Sequence, residues 1–79
     1  MTLHDYLIEA YPKLSWYQRD QAFAERCGTS RQNIGRYRTY KRFPSPGMIV
    51  VIRDRSGGVV TADDHLPPAL QAAYSDEAA

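Results

Sequence analysis

Helix-breaking residues fall at Pro12, Gly28, Pro44, Pro46, Gly57-Gly58 and Pro67-Pro68, and they cut this chain of 79 residues into short segments. Short segments can bury their apolar faces only against one another, so one small domain is the expected outcome. A chain of this length buries roughly 60% of the surface its unfolded form exposes, which leaves room for one modest core and no large enclosed active site. The longest apolar run, Met48–Ile52, falls well short of the ~20 residues a membrane span requires. Cys27 is the sole cysteine, so neither an internal disulfide nor a cysteine-cluster metal site can form. Met1–Asp5 lacks the basic-then-apolar character of a secretory signal, and a cytoplasmic location is expected.

Each segment carries its own start and stop signals. Thr2 with Asp5 reads as an N-cap, and Leu3, Tyr6, Leu7 and Ala10 follow at helical spacing, giving a helix over about 3–10 that ends before Pro12. Ser15 with Gln18 forms a capping box for a helix over about 16–26, with Trp16, Phe23, Ala24 and Cys27 as its apolar stripe and Gly28 as its stop. Thr29 or Ser30 can cap a third helix over about 31–39, with Ile34 and Tyr37 inward. The segment 45–60 is ambiguous. Ser45-Pro46 and Gly57-Gly58 are helix punctuation, which favours a helix. Ile49-Val50-Val51-Ile52 is β-branched throughout, however, and a glycine pair before Val59-Val60 could also turn a hairpin. Thr61–Asp64 resembles another capped start. The domain is expected to span 1–68, with an acidic, flexible tail at 69–79.

The near-neutral net charge of +1 conceals a basic block. Arg26, Arg31, Arg36, Arg38, Lys41, Arg42 and Arg53 occur with no acid among them, between acidic flanks. Within this block lies a spacing with a geometric meaning. A small residue, Ala24, lets a second helix cross closely. Gly28, four residues on, permits a tight turn. Ile34 and Tyr37, six and nine residues after the glycine, pin the second helix. Ser30, Arg31, Gln32 and Arg36 are then left outside. Arg pairs bidentately with guanine O6/N7 and Gln with adenine N6/N7, so this exposed set suits reading of the DNA major groove.

The stretch from Arg19 to Tyr37, RDQAFAERCGTSRQNIGRY, resembles the helix-turn-helix of Cro and lambda-type phage repressors. Lys41–Pro46, Ser56–Asp64 and Thr2–Leu7 are similar to the remainder of small prophage Cro-like regulators, including the YdaS-like group, so the likeness covers about 2–66. It implies an all-α, compact four- to five-helix lambda-repressor-like domain, with three helices plus a C-terminal β-hairpin, as in α+β Cro, as the alternative. It implies a transcriptional repressor that binds a palindromic double-stranded DNA operator as a homodimer, its two recognition helices in major grooves about 34 Å apart. Arg31, Gln32 and Arg36 then read bases. Gln18, Arg19, Ser30, Arg38, Tyr40, Lys41 and Arg42 meet the DNA backbone. The apolar run supplies a dimer face through Met48, Ile49, Val51 and Ile52. Some YdaS-like members are antitoxins, so the alternative function is an antitoxin whose partner is a toxin protein held through the C-terminal third.

Three positions depart from the family pattern. Asp20 stands where a glutamine commonly braces the first base-reading residue and a phosphate; Gln18, Arg19 or Gln21 is left to substitute. Thr29 and Tyr37 replace an aliphatic and a smaller residue. Gly35 sits mid-helix at a cost of about 1 kcal/mol relative to Ala, explained either by close approach to DNA or by simple tolerance.

Catalysis and cofactors are not expected. Cys27 occupies an inward position suited to a small buried hydrophobe. His4 and His65 lack neighbouring ligands, Asp63-Asp64 suits capping, and Gly57-Gly58 lacks the lysine and following helix of a phosphate-binding loop. No metal ligand set is present in this reading.

Overall fold

The computed structural model describes residues 1–70. They form α1 (Leu3–Ala10), α2 (Trp16–Cys27), α3 (Arg31–Arg38), α4 (Pro46–Arg55) and a single 3-10 turn at Ala62–His65, with no strand among the described residues. The fold is therefore all-α. The flexible tail expected at 69–79 falls almost wholly outside the described residues.

The helix boundaries follow from side chains that satisfy free backbone N–H groups. Thr2 Oγ1 accepts from the Asp5 N–H, Ser30 Oγ from Asn33 and Ser45 Oγ from Met48. Ser15 and Gln18 form a reciprocal capping box, each side chain accepting from the other's backbone. Such caps contribute about 1 kcal/mol each, which matters for helices this short.

Left-handed residues close the C-terminal ends of α2, α3 and α4. Gly28, at φ 68°, ends α2, and the next residue, Thr29, returns its N–H to the Ala24 carbonyl at 3.0 Å. Tyr40 takes the same role after α3 at φ 62°, unusual for a residue with a Cβ; its N–H bonds the Tyr37 carbonyl and that of Lys41 bonds Arg36.

The ambiguous segment is a helix. Gly57 N–H returns to Asp54 and Gly58 N–H to Arg53, a glycine-closed helix end and not a hairpin turn. Beyond it Val60 comes back into the core, its N–H accepted by the buried Ser56 hydroxyl at 3.1 Å. Capping at both ends thus prevails over the strand preference of four β-branched residues, as tertiary context commonly does.

The core comprises Leu3 and Leu7 of α1, Phe23, Ala24 and Cys27 of α2, Ile34 and Tyr37 of α3, Ile52 of α4, and Val60. Helices α2 and α3 share the largest contact. All inward positions expected on α2 and α3 are buried except Trp16, which is partly exposed against the core edge.

The α4 dimer face requires correction. Ile52 is fully buried in its own chain, and Met48 and Val51 lean on the same core. Ile52 faces inward because α4 packs on α2 and the 3-10 turn and places this residue in the shared core, so it is unavailable to a second copy. What α4 leaves outward is Val50, with Ile49 partly covered.

Candidate nucleic-acid interface

The basic block is divided by its own hydrogen bonds. Two of its arginines are consumed internally. Arg26 donates to the Tyr6 and Tyr11 hydroxyls at 3.3 and 3.2 Å and to the Arg55 carbonyl at 2.6 Å, while Arg55 Nε donates back to the Arg26 carbonyl at 3.0 Å. Hydrogen bonds to Tyr11 and then Tyr6 raise the Arg26 pKa further above its already high ordinary value. Each guanidinium therefore satisfies the negative C-terminal end of the other's helix.

Arg38 is the second. It had been expected at the DNA backbone, but its Nε and Nη2 donate to the two Asp20 oxygens at 2.8 and 2.9 Å. Its guanidinium also lies 4.2 Å from the centre of the Trp16 ring. A buried carboxylate requires a cation or donors of its own, and Arg38 supplies two of them in the fork geometry that arginine offers. This pairing occupies the Arg38 fork, so Arg38 does not present the phosphate contact expected from the sequence.

Arg19 is likewise turned inward. Nε donates to the Tyr11 carbonyl at 2.9 Å and Nη2 to Pro12 at 3.4 Å, with the guanidinium over Trp16. It secures the α1–α2 connection, so its expected place at the DNA backbone is not what the structure shows. Tyr40 is half-buried and has Asp5 and Asp64 in its surroundings; burial first, then these two charges, raises its phenol pKa. An acidic neighbourhood repels phosphate, which weighs against the backbone contact expected of Tyr40.

The remaining expected residues do lie open. Gln32 and Arg36 are exposed on the side of α3 opposite Ile34 and Tyr37, whereas Arg31 is partly buried on the flank of the helix; none of the three side chains has a hydrogen-bond partner among the described residues. Gln32 and Arg36 are one turn apart and share a face. Lys41 and Arg42 both donate their backbone N–H to the Arg36 carbonyl, at 2.9 and 3.3 Å, so the basic loop begins against the last turn of α3. Their side chains are exposed, and neither has a protein partner among the described residues. Ser30 is exposed at the N-terminus of α3, its oxygen accepting from Asn33. Gln18 is exposed too; its Oε1 is used by Ser15 and its amide N–H groups are left as donors.

Sequence reasoning missed two relationships. Asp20 falls at the spacing of Trp16, Phe23, Ala24 and Cys27, and an acid on that stripe signals a buried cation partner. The second is Tyr17, whose exposed ring lies 4.2 Å from the Arg31 guanidinium carbon. None of the substitutes considered for the missing glutamine reaches Arg31: Gln18 caps, Arg19 turns to carbonyls, and Gln21 bonds Glu25 at 3.1 Å. The Asp20–Arg38 pair also accounts for Gly35. A Cβ there would stand 3.3 Å from Asp20 Oδ2, so the glycine makes room for a carboxylate of the same chain; DNA is not needed to explain it.

Elsewhere, burial pushes the Cys27 thiol up to about 11, in keeping with a buried thiol held protonated. His65 is buried with neither ring nitrogen hydrogen-bonded, its edge-to-face neighbour being Phe43. Desolvation lowers its pKa, with Asp64 opposing. No group of three metal-ligating side chains occurs among the described residues. None of the described helices is long and apolar enough to cross a membrane. No family model, curated protein or solved structure matches this chain.

Proposed function

We propose that this chain is a sequence-specific double-stranded DNA-binding repressor of the phage Cro type, folded as a lambda-repressor-like helix-turn-helix and acting on a palindromic operator as a homodimer. In this reading α3 enters the major groove, with Arg31, Gln32 and Arg36 toward base edges and Ser30, Gln18, Lys41 and Arg42 toward phosphates.

The observation that carries the reading is a partition of charge. Arg26 and Arg38 are bound to the chain's own oxygens, whereas Arg31, Arg36, Lys41 and Arg42 are kept free of any protein acceptor on α3 and the loop that starts from it. Leaving such cations unpartnered beside Gln32, which adds a donor and an acceptor of its own, makes a donor-rich surface that complements guanine O6/N7 and phosphate oxygen. Occupancy of an operator by such a domain would repress by excluding other proteins from the same DNA. The homodimer belongs to the proposal, with Ile49 and Val50 the outward residues of α4.

Selection of bound duplexes from a randomised pool tests the whole reading. Recovery of a palindromic motif with half-sites one helical turn apart is expected. Recovery of a pool no different from the input overturns it.

A further inference from the structure

Arg31 is unlike the other open cations of α3. Its guanidinium lies 4.2 Å from the centre of the Tyr17 ring, close enough for stacking contact, while its N–H groups have no acceptor among the described residues. Tyr17 is 62% exposed, with no hydrogen bond to its hydroxyl among the described residues. An aromatic residue left so exposed contributes little to the core, and its main neighbour of interest is this one side chain. The contact joins the first turn of α2 to the first residue of α3, so it spans the turn that sets the two helices against each other.

A free arginine side chain samples many rotamers and must lose that freedom to make a planar two-point contact. Contact with an aromatic face removes much of it beforehand. The in-plane edge, which carries the donors, is not covered by a ring that contacts the guanidinium face. Guanine presents O6 and N7 as two acceptors in one plane, and a held guanidinium edge matches them; adenine offers N7 beside a donor and does not.

We propose that Tyr17 is a positioning residue that pre-orients Arg31 for bidentate recognition of guanine, so that one G·C pair of the binding site is specified through a side chain that need not touch the base. This rests on the DNA-reading function above and assigns the base class and the residue that enforces it. The phenol hydroxyl plays no part in the contact; the ring face does.

The probes are a duplex recovered from the randomised pool and variants in which each G·C pair in turn is changed to A·T, or its guanine to 7-deazaguanine, which lacks the N7 acceptor. The wild-type chain is expected to lose about tenfold or more at one pair per half-site. Tyr17→Ala is expected to reduce that discrimination about fivefold. Its affinity for a random-sequence duplex should be unchanged, because no charge is removed. Tyr17→Phe should retain the discrimination, whereas Arg31→Lys should lose it. Proton shifts report the stacking without DNA: the Arg31 side-chain resonances should lie upfield in the wild type and in Tyr17→Phe, and return toward random-coil values in Tyr17→Ala.

A wild-type chain that discriminates among these duplexes, with Tyr17→Ala discriminating equally well, overturns the role of Tyr17 and leaves the DNA-binding reading standing. Arg31 resonances at random-coil positions in the wild type do the same. A wild-type chain with no preference among any duplexes overturns the DNA-reading function itself, and this inference with it.

Discussion

Arg38 grips the Asp20 carboxylate through two parallel N–H donors, at 2.8 and 2.9 Å, across the junction of α2 and α3. Both side chains are largely withdrawn from water, so removing either leaves the other charge without its partner. Asp20→Ala and Arg38→Ala should each destabilise the fold by about 3 kcal/mol, the lower end of the range for buried pairs because Arg38 keeps some solvent contact. Urea denaturation followed by fluorescence of Trp16, the only tryptophan, measures it. Because the Arg38 guanidinium is occupied, Arg38→Ala should leave the salt dependence of duplex binding unaltered under conditions where both chains are folded. A slope reduced by about one would place Arg38 on a phosphate after all.

Gly35→Ala sets two effects against each other. Alanine gains about 1 kcal/mol of helix propensity, but its Cβ would stand 3.3 Å from Asp20 Oδ2, and Arg38 holds that oxygen in place. The expected outcome is no gain, or a loss of up to about 1 kcal/mol. In an Asp20→Ala background the obstruction is gone, and the same substitution should stabilise by about 1 kcal/mol. A double-mutant cycle reads the difference directly. Equal effects in both backgrounds would mean that the carboxylate does not constrain position 35.

His65 makes stability depend on acidity. It is buried with both ring nitrogens unpartnered, and desolvation holds its folded-state pKa below the ordinary 6.5 despite the opposing charge of Asp64. Below pH 6.5 the unfolded chain takes up a proton that the folded chain refuses, so stability falls as pH drops from 6.5 toward the folded-state pKa and is full above 6.5. His65→Leu should flatten this portion of the profile. Asp64 acts in a separate, lower window. Burial opposes its ionisation, but hydrogen bonds from Thr61 and the Met1 amino group hold its pKa below 3.8, so its contribution is lost on acidification below that value. Denaturation midpoints at pH 7.5, 6, 5 and 3 separate the two.

Arg31 and Arg42 should fail differently. Arg31→Ala is expected to cost about 1–3 kcal/mol on the selected duplex and to relax preference at one base pair. Arg42→Ala should weaken all duplexes alike and reduce the salt slope by about one. Binding titrations at several salt concentrations, on selected and random duplexes, distinguish the two. A uniform, sequence-blind loss for both variants would remove the division between base reading and backbone contact.

Much of the fold could be read from punctuation. Thr2, Ser15, Ser30 and Ser45 sit where caps were expected, and Gly28 and Gly57 take the left-handed conformations their positions implied. The inward set Phe23, Ala24, Cys27, Ile34 and Tyr37 followed from helical spacing alone. Which cations would remain open did not. Arg31 and Arg38 are both arginines of one short helix, and local pattern gives them equal standing. Their separation depends on where α2 places Tyr17 and Asp20, a consequence of how two helices cross. Ile52 escaped for a related reason. A run of five apolar residues has no polar gap to mark its outward side, so its inward member is fixed only by what lies beneath the helix.

Tyr40 turns the backbone left-handed immediately after α3, and this reversal brings the amides of Lys41 and Arg42 onto the Arg36 carbonyl. The loop is thereby fastened to the rod it follows and does not swing from it as an independent arm. Any tilt or roll of α3 on a surface would carry the backbone of both residues along with it, so the side chains of Lys41 and Arg42 swing from anchor points set by the helix end.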